Sequence, residues 1–297
     1  MPNKIILDTD PGIDDAIAII VLLRECGERV ELILSSYGNI SMDNTTKNTL
    51  TMLSLLDMDI PVVKGTQKPD NDNYIDASHI HWVDGLGGLN VGISTKKAIE
   101  GDYLKITYDA IMKAGIVDYI TLGPLTNLAL LMKRYPDVVS HIEKVVTMGG
   151  GVNMGNVTEF AEFNVYCDAK SANYVFAHAK ELVLVPLNTT SSVAFNLEQI
   201  EEIGRFGTPL ARAMEKILRE NYHTCVKYGK LGSIMHDSTA VLCYLYPELF
   251  NTRKCGVEVD CKEHYGQTVL SDFRNNITLT LDTNKEILLG KITDCIK

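Results

Sequence analysis

Positive charge is scarce in this chain: 28 Lys and Arg stand against 38 Asp and Glu, a net charge of −10. Binding to a nucleic-acid backbone rests on clustered Lys and Arg that neutralise phosphates, so the deficit argues against a nucleic-acid partner and favours a small uncharged or cationic ligand. Long apolar runs are missing as well. No stretch reaches the roughly 18 to 20 apolar residues that a bilayer span needs, so no membrane partner is expected. With 45% hydrophobic and 22% charged residues, the composition is that of an ordinary soluble protein. The start, Met1-Pro2-Asn3-Lys4, shows neither an apolar leader nor a small-residue cleavage site, which points to the cytoplasm. Seven cysteines, at positions 26, 167, 225, 243, 255, 261 and 295, form no CxxC pair and leave an odd one. They suit a reducing compartment better than a disulfide framework and read as buried thiols.

Low-complexity stretches, solenoid repeats and Pro/Ser-rich linkers are also absent, so a single domain over 1–297 is expected. What is present is alternation. Short β-branched runs at Lys4–Leu7, Val30–Ser36, Pro61–Val63, Asp118–Leu122, Lys144–Met148 and Leu182–Pro186 read as strands. Between them, Asp14–Arg24, Asn44–Leu56, Asp102–Ala114, Asn127–Tyr135 and Asp168–Ala177 read as helices. This order predicts an α/β fold, a mostly parallel central sheet covered by helices on both faces. The last third predicts a helical region over Leu197–Tyr228, a short helix from Asp237, and strands at Lys254–Val259, Thr268–Ser271 and Ile277–Leu281, together a cap or sheet extension. In such sheets the ligand sits beyond the carboxyl ends of the strands. The unusual segments fall there: Asp8 to Asp15, Tyr37-Gly38-Asn39, Gly123 to Asn127 and Gly149-Gly150-Gly151.

The first of these, Asp8-Thr9-Asp10-Pro11-Gly12-Ile13-Asp14-Asp15, puts four carboxylates in eight residues. Any one of them reads as a helix cap or a solvated loop residue. The run as a whole is costly without a cation, and carboxylate oxygens with no Cys or His beside them select a hard ion, calcium or magnesium, over zinc.

DTDPGIDDA resembles the N-terminal signature of the inosine-uridine-preferring nucleoside hydrolases. The resemblance extends in order along nearly the whole chain, through Gly38-Asn39, Gly123-Pro124-Leu125-Thr126-Asn127, Met148-Gly149-Gly150-Gly151, Asn156, Glu162-Phe163-Asn164 and His236-Asp237. It implies calcium-dependent hydrolysis of the N-glycosidic bond of ribonucleosides and a homo-oligomer, dimer or tetramer. It implies calcium ligation by Asp10, Asp15, the carbonyl of Leu122 and Asp237. Asp10 would be the base that deprotonates water at the ion, with Asp8 as its supporting neighbour. Asp14, Asn39, Asn156, Glu162 and Asn164 would hold the ribose hydroxyls, with Met148 near the sugar. His236 would protonate the departing base, and His81 and Tyr228, or Tyr222, would lie near that base. Many members have a small residue where this chain has Trp82, its only tryptophan; an indole there would either stack on a purine or serve as a hydrophobic plug that anchors the loop.

Duller and rival readings are weaker. Glycines 149, 151 and 155 give GxGxxxG, one residue too long for a dinucleotide loop. Asp8-Thr9-Asp10 also suits a haloacid-dehalogenase-like phosphatase, but Gly12 departs from that pattern and the later motifs would be idle. A binding protein without turnover would be expected to have lost Asp10 or a metal ligand.

Overall fold

The computed structural model describes residues 2–69, 75–89, 94–272 and 275–297. The chain begins β1 (Lys4–Thr9), α1 (Ile13–Cys26), β2 (Val30–Ser35), α2 (Met42–Leu55) and β3 (Val62–Lys64). It continues through α3 (Ser78–His81), α4 (Tyr103–Ala114), β4 (Val117–Thr121), α5 (Thr126–Arg134) and β5 (Ile142–Met148). Next come α6 (Phe163–Cys167), α7 (Ala169–His178), β6 (Leu182–Val185), α8 (Leu187–Thr190) and β7 (Ala194–Phe195). The remainder is α9 (Leu197–Arg205), α10 (Pro209–Lys227), β8 (Ser233–Ile234), α11 (His236–Leu245), β9 (Phe250–Val259), β10 (Thr268–Ser271), β11 (Ile277–Thr283) and α12 (Lys285–Ile296).

One 9-stranded sheet runs through the molecule in the order β10-β9-β11-β6-β5-β4-β1-β2-β3. Only β9 runs against the others, pairing antiparallel with both β11 and β10. The expected fold class therefore holds, and the predicted C-terminal strands extend this same sheet. Side chains alternate along β1: Ile5 and Leu7 enter the core on one face, Ile6 the core on the other. On the first face lies α1, whose residues from Ile13 to Leu23 are all buried, packed against α2, α10, α11 and α12. A helix covered on every side has no free face about which to turn, so the acidic residues of its first turn are held in one place.

Chain order reverses at β1, which pairs with β2 on one side and β4 on the other. The loops after β1 and β4 diverge from this point, and the Leu122 amide donates to the Asp8 carbonyl at 2.9 Å to join them. A crevice at the carboxyl ends follows from that topology.

Two expectations needed revision. The helical region predicted over Leu197–Tyr228 is two helices, because Gly207 takes φ +71° and Thr208 then caps α10, with Pro209 at its first turn. The helix α12, capped by Asn284 and burying Leu288, Leu289 and Ile292, was not expected. Its glycine, Gly290, and its short length weaken the periodic signal.

Candidate active site

Beyond the carboxyl ends lies a cavity of about 450 Å³. Its lining includes Asp14, Asn39, Leu122, Met148, Asn164 and Asp237, from the first turn of α1, the loops after β2 and β4, the end of β5, and from α6 and α11. The sequence-predicted His81, Asn156, Glu162, Tyr228 and His236 line it too. Asp10 and Asp15 lie beneath, buried at 1% and 0% exposure.

The acidic residues divide by what they touch. Asp8 is fully engaged: it accepts from Tyr119 Oη and Asn127 Nδ2, both at 2.9 Å. It ties β1 to β4 and α5 and makes no bond to Asp10. Burial raises its carboxyl to about 7, against the pull of those two donors. Asp15 accepts from Thr9 Oγ1 at 2.7 Å, from the Gly12 amide at 3.0 Å and from Asn39 Nδ2 at 2.9 Å. Asp10 is different. Its Oδ2 accepts from the Asn39 amide at 2.7 Å, while its buried Oδ1 has no hydrogen-bond partner among the described residues.

Two glycines grip that carboxylate. A Cβ on Gly38, whose φ is +155°, would lie 1.9 Å from Asp10 Oδ2, and one on Gly123 would lie 2.4 Å from Oδ1. No other residue lets the backbone pass so close.

Carboxylate oxygens of Asp14, Asp15 and Asp237 lie within 4.8 Å of one another. Burial first, then mutual repulsion, raises the carboxyls of Asp10, Asp15 and Asp237 above the ordinary range. An all-oxygen donor set, crowded, buried and with one orphaned oxygen beside it, fits a hard divalent cation. The tightest triad contains Asp14, which sequence reasoning placed on the sugar, whereas Asp10 stands beside it. The Leu122 carbonyl, an expected metal ligand, accepts from Asn164 Nδ2 at 2.6 Å, leaving its second lone pair.

The opposite wall is organised by Glu162, the N-cap of α6. One oxygen accepts from the Asn164 amide at 2.9 Å, the other from the Gly150 and Val165 amides at 2.8 and 3.1 Å. Burial raises it to about 7 despite these donors. Glu162 thus fixes the Met148–Gly151 turn to α6, and Asn156 Oδ1 accepts from the Phe163 amide at 2.9 Å. Asn164 reaches back to the carbonyl and sulfur of Met148 at 3.3 and 3.5 Å.

This wall has a distant support that sequence reasoning missed. Thr268, on β10, accepts from the Gly151 amide at 2.8 Å and donates to its carbonyl at 2.9 Å. Replacing it by Val keeps the shape and strands both groups. Thr268→Val is expected to destabilise the fold by about 2 kcal/mol in urea unfolding, with Thr268→Ser recovering most of it. Equal stability of the Val variant would show that the clamp is not needed.

Two histidines face the cavity. The Ile13 amide donates to His81 Nδ1 at 3.1 Å, so that nitrogen carries no proton and Nε2 is the donor. The same bond caps the first turn of α1. His236 Nδ1 pairs with Thr190 Oγ1 at 2.6 Å. Burial lowers its pKa, Asp14 opposes this and Lys230 adds to it.

Tyr228 lies at the mouth, edge-on to His79 at 6.3 Å between ring centroids. Trp82 does not line the cavity: it is 48% exposed, and its φ of +69° is one that bulky residues seldom adopt. Tyr222 packs against the core of the α1 face. Of the glycine-rich stretch beside Trp82, Gly92 lies outside the described residues. Sequence reasoning also overlooked His79, Asn221, Cys225 and Lys230 in the lining.

Comparison with known proteins identifies the family and the fold. The chain is 34% identical to pyrimidine-specific ribonucleoside hydrolases RihA of Shigella boydii and Escherichia coli, over all of this chain and 99% of each relative. Its fold matches a purine-preferring ribonucleoside hydrolase from Gardnerella vaginalis with a TM-score of 0.94 at 24% identity, covering 99% of this chain and 98% of that one. It matches a plant nucleoside hydrolase with a TM-score of 0.93 at 25% identity, covering 100% and 99%. The model of the inosine-uridine preferring nucleoside hydrolases matches residues 5–289, and the chain belongs to that family of N-glycosyl hydrolases.

Proposed function

We propose that this chain hydrolyses the N-glycosidic bond of ribonucleosides to free base and ribose, with calcium held by Asp10, Asp15, the Leu122 carbonyl and Asp237. The observation that carries the reading is the free Oδ1 of Asp10, buried below a cavity of about 450 Å³ and beside three more carboxylates.

A bound dication would offset the charge of the cluster, hold two ribose hydroxyls and acidify a nearby water. The protein's own groups do the rest. Asp10, fixed through Oδ2 by the Asn39 amide, receives the water's proton on Oδ1. Desolvation makes this carboxylate a stronger base than it is in water. The water oxygen bonds to the anomeric carbon as the carbon–nitrogen bond breaks, its electron pair passing to the base nitrogen. Attack by water directly gives inversion.

Positive charge grows on the ribose in the transition state, and the carboxylates of Asp14, Asp15 and Asp237 stabilise it. Asp14, Asn39, Asn156, Glu162 and Asn164 orient the hydroxyls, and Met148 packs against the sugar. His236, whose Nδ1 is tied to Thr190, directs its other ring nitrogen at the leaving base as its acid. Tyr228 and the Nε2–H of His81 flank that base. Among the described residues no helix is long and apolar enough to cross a membrane, and seven cysteines without a CxxC pair suit a reducing cytoplasm.

The test is ribose release, by a reducing-sugar assay with calcium present, from inosine, adenosine, guanosine, uridine and cytidine. Release from at least one is expected. Folded protein that frees ribose from none of them removes the reading.

A further inference from the structure

The comparisons divide on the base: the sequence relatives are named pyrimidine-specific, and one of the structural neighbours purine-preferring. The cavity bears on the base along a different line. Its charged lining is uneven. Asp14, Glu162 and Asp237 supply the acids, and among the described residues of the lining Lys230 is the only Lys or Arg.

Lys230 is placed by its backbone. Gly229, with φ +73°, turns the chain at the end of α10, and the Lys230 amide then donates to the Cys225 carbonyl at 2.9 Å. This anchors the residue at the mouth of the cavity, next to Tyr228. Its charge acts on His236 and Cys225, the groups of this wall. Among the described residues no carboxylate forms an ion pair with it, although Arg219, earlier in α10, has two. A lysine here also suits the helix's carbonyl end, but that role needs no access to the cavity.

Given the hydrolase reading above, on which this inference rests, the carboxylate end takes the sugar and the Lys230 end takes the part of the base farthest from it. We infer that Lys230 is a specificity-determining residue, selecting nucleosides whose base carries a carbonyl oxygen at that far edge over those that carry an amino group there. An ammonium group has three donors and no acceptor. It bonds a carbonyl and repels the hydrogens of an amino group. As the glycosidic bond breaks, its electron pair spreads onto that carbonyl, so the contact strengthens in the transition state. Uracil and hypoxanthine carry the carbonyl; cytosine and adenine carry the amino group. The division thus cuts across purines and pyrimidines.

Two kinds of measurement test this. The first is kcat/KM for uridine, cytidine, inosine and adenosine in wild type, Lys230→Met and Lys230→Arg. Wild type is expected to favour uridine over cytidine and inosine over adenosine. Lys230→Met is expected to shrink both ratios about tenfold, and Lys230→Arg to retain most of them. Unchanged ratios, or an equal fall on all four substrates, would overturn the assignment. The second is the ratio of Kd for uridine and cytidine by titration calorimetry in Asp10→Asn protein with and without Lys230→Met. If wild type hydrolyses nothing, the hydrolase reading falls. The Kd ratio then decides Lys230 alone: a preference for uridine that Lys230→Met removes supports it, and equal binding overturns it.

Discussion

Asp10→Asn is expected to lower kcat by about a thousandfold or more, while the chelated protein melts about 2 to 4 °C higher than chelated wild type. The two effects share one cause. Oδ1 is buried without a partner and Oδ2 accepts from the Asn39 amide. An amide keeps the second bond through its own oxygen and removes a carboxyl whose ionisation is penalised by burial and by Asp15 and Asp14 beside it. It also replaces the one carboxylate oxygen without a hydrogen-bond partner, the oxygen free to take a proton from water. A group that destabilises the fold and is indispensable to turnover marks a site where function opposes stability. Steady-state assays and thermal melts in chelator check both halves. A variant that keeps wild-type kcat would dismiss Asp10 as the base.

The second large effect is on the response to calcium. At about a hundred times Kd, calcium is expected to raise the melting temperature by about 5 to 10 °C near pH 8, and by much less near pH 5. The carboxyls of Asp10, Asp15 and Asp237 are raised, so the folded cluster holds protons that the unfolded chain releases. Their contribution is full below the ordinary carboxylate pKa of about 4 and is lost as pH climbs through the raised values. Asp8 and Glu162, both at about 7, carry the loss to neutrality. A cation displaces the cluster's protons and holds the carboxylates ionised, so its benefit grows as protons become scarce. Melts with and without calcium at both pH values decide it; an equal shift at each, or none, would contradict the coupling.

The strand-helix alternation made the sheet legible in the sequence because the strands from β1 to β6 are short, largely buried apolar runs set between longer helical patterns. The acidic run was legible because its density has no cheap structural use. What stayed hidden depends on contacts between distant segments. Nothing around Thr268 marks it as a partner of Gly151, 117 residues away. Asp8 acts on Asp10 through its charge alone, and that its two oxygens are taken up by Tyr119 and Asn127 was not legible, because both partners come from distant segments. Glu162 read as a ligand for hydroxyls, and its two oxygens turn out to hold three backbone amides. Lys230 was hidden because a lysine between glycines at a helix end is usually solvated. Its meaning comes from the cavity wall it joins, which no local pattern records.

Gly38 and Gly123, pressed against the Asp10 carboxylate, have a consequence for heredity. Every codon change that alters a glycine adds at least a carbon, and at these two positions that carbon would fall on the oxygens of Asp10. A map of tolerated substitutions would therefore score both as severely as a reacting group, though neither has a side chain with which to react. Selection at these positions acts on an absence, and a lineage that fills it gives up the enzyme without touching any residue that meets the nucleoside.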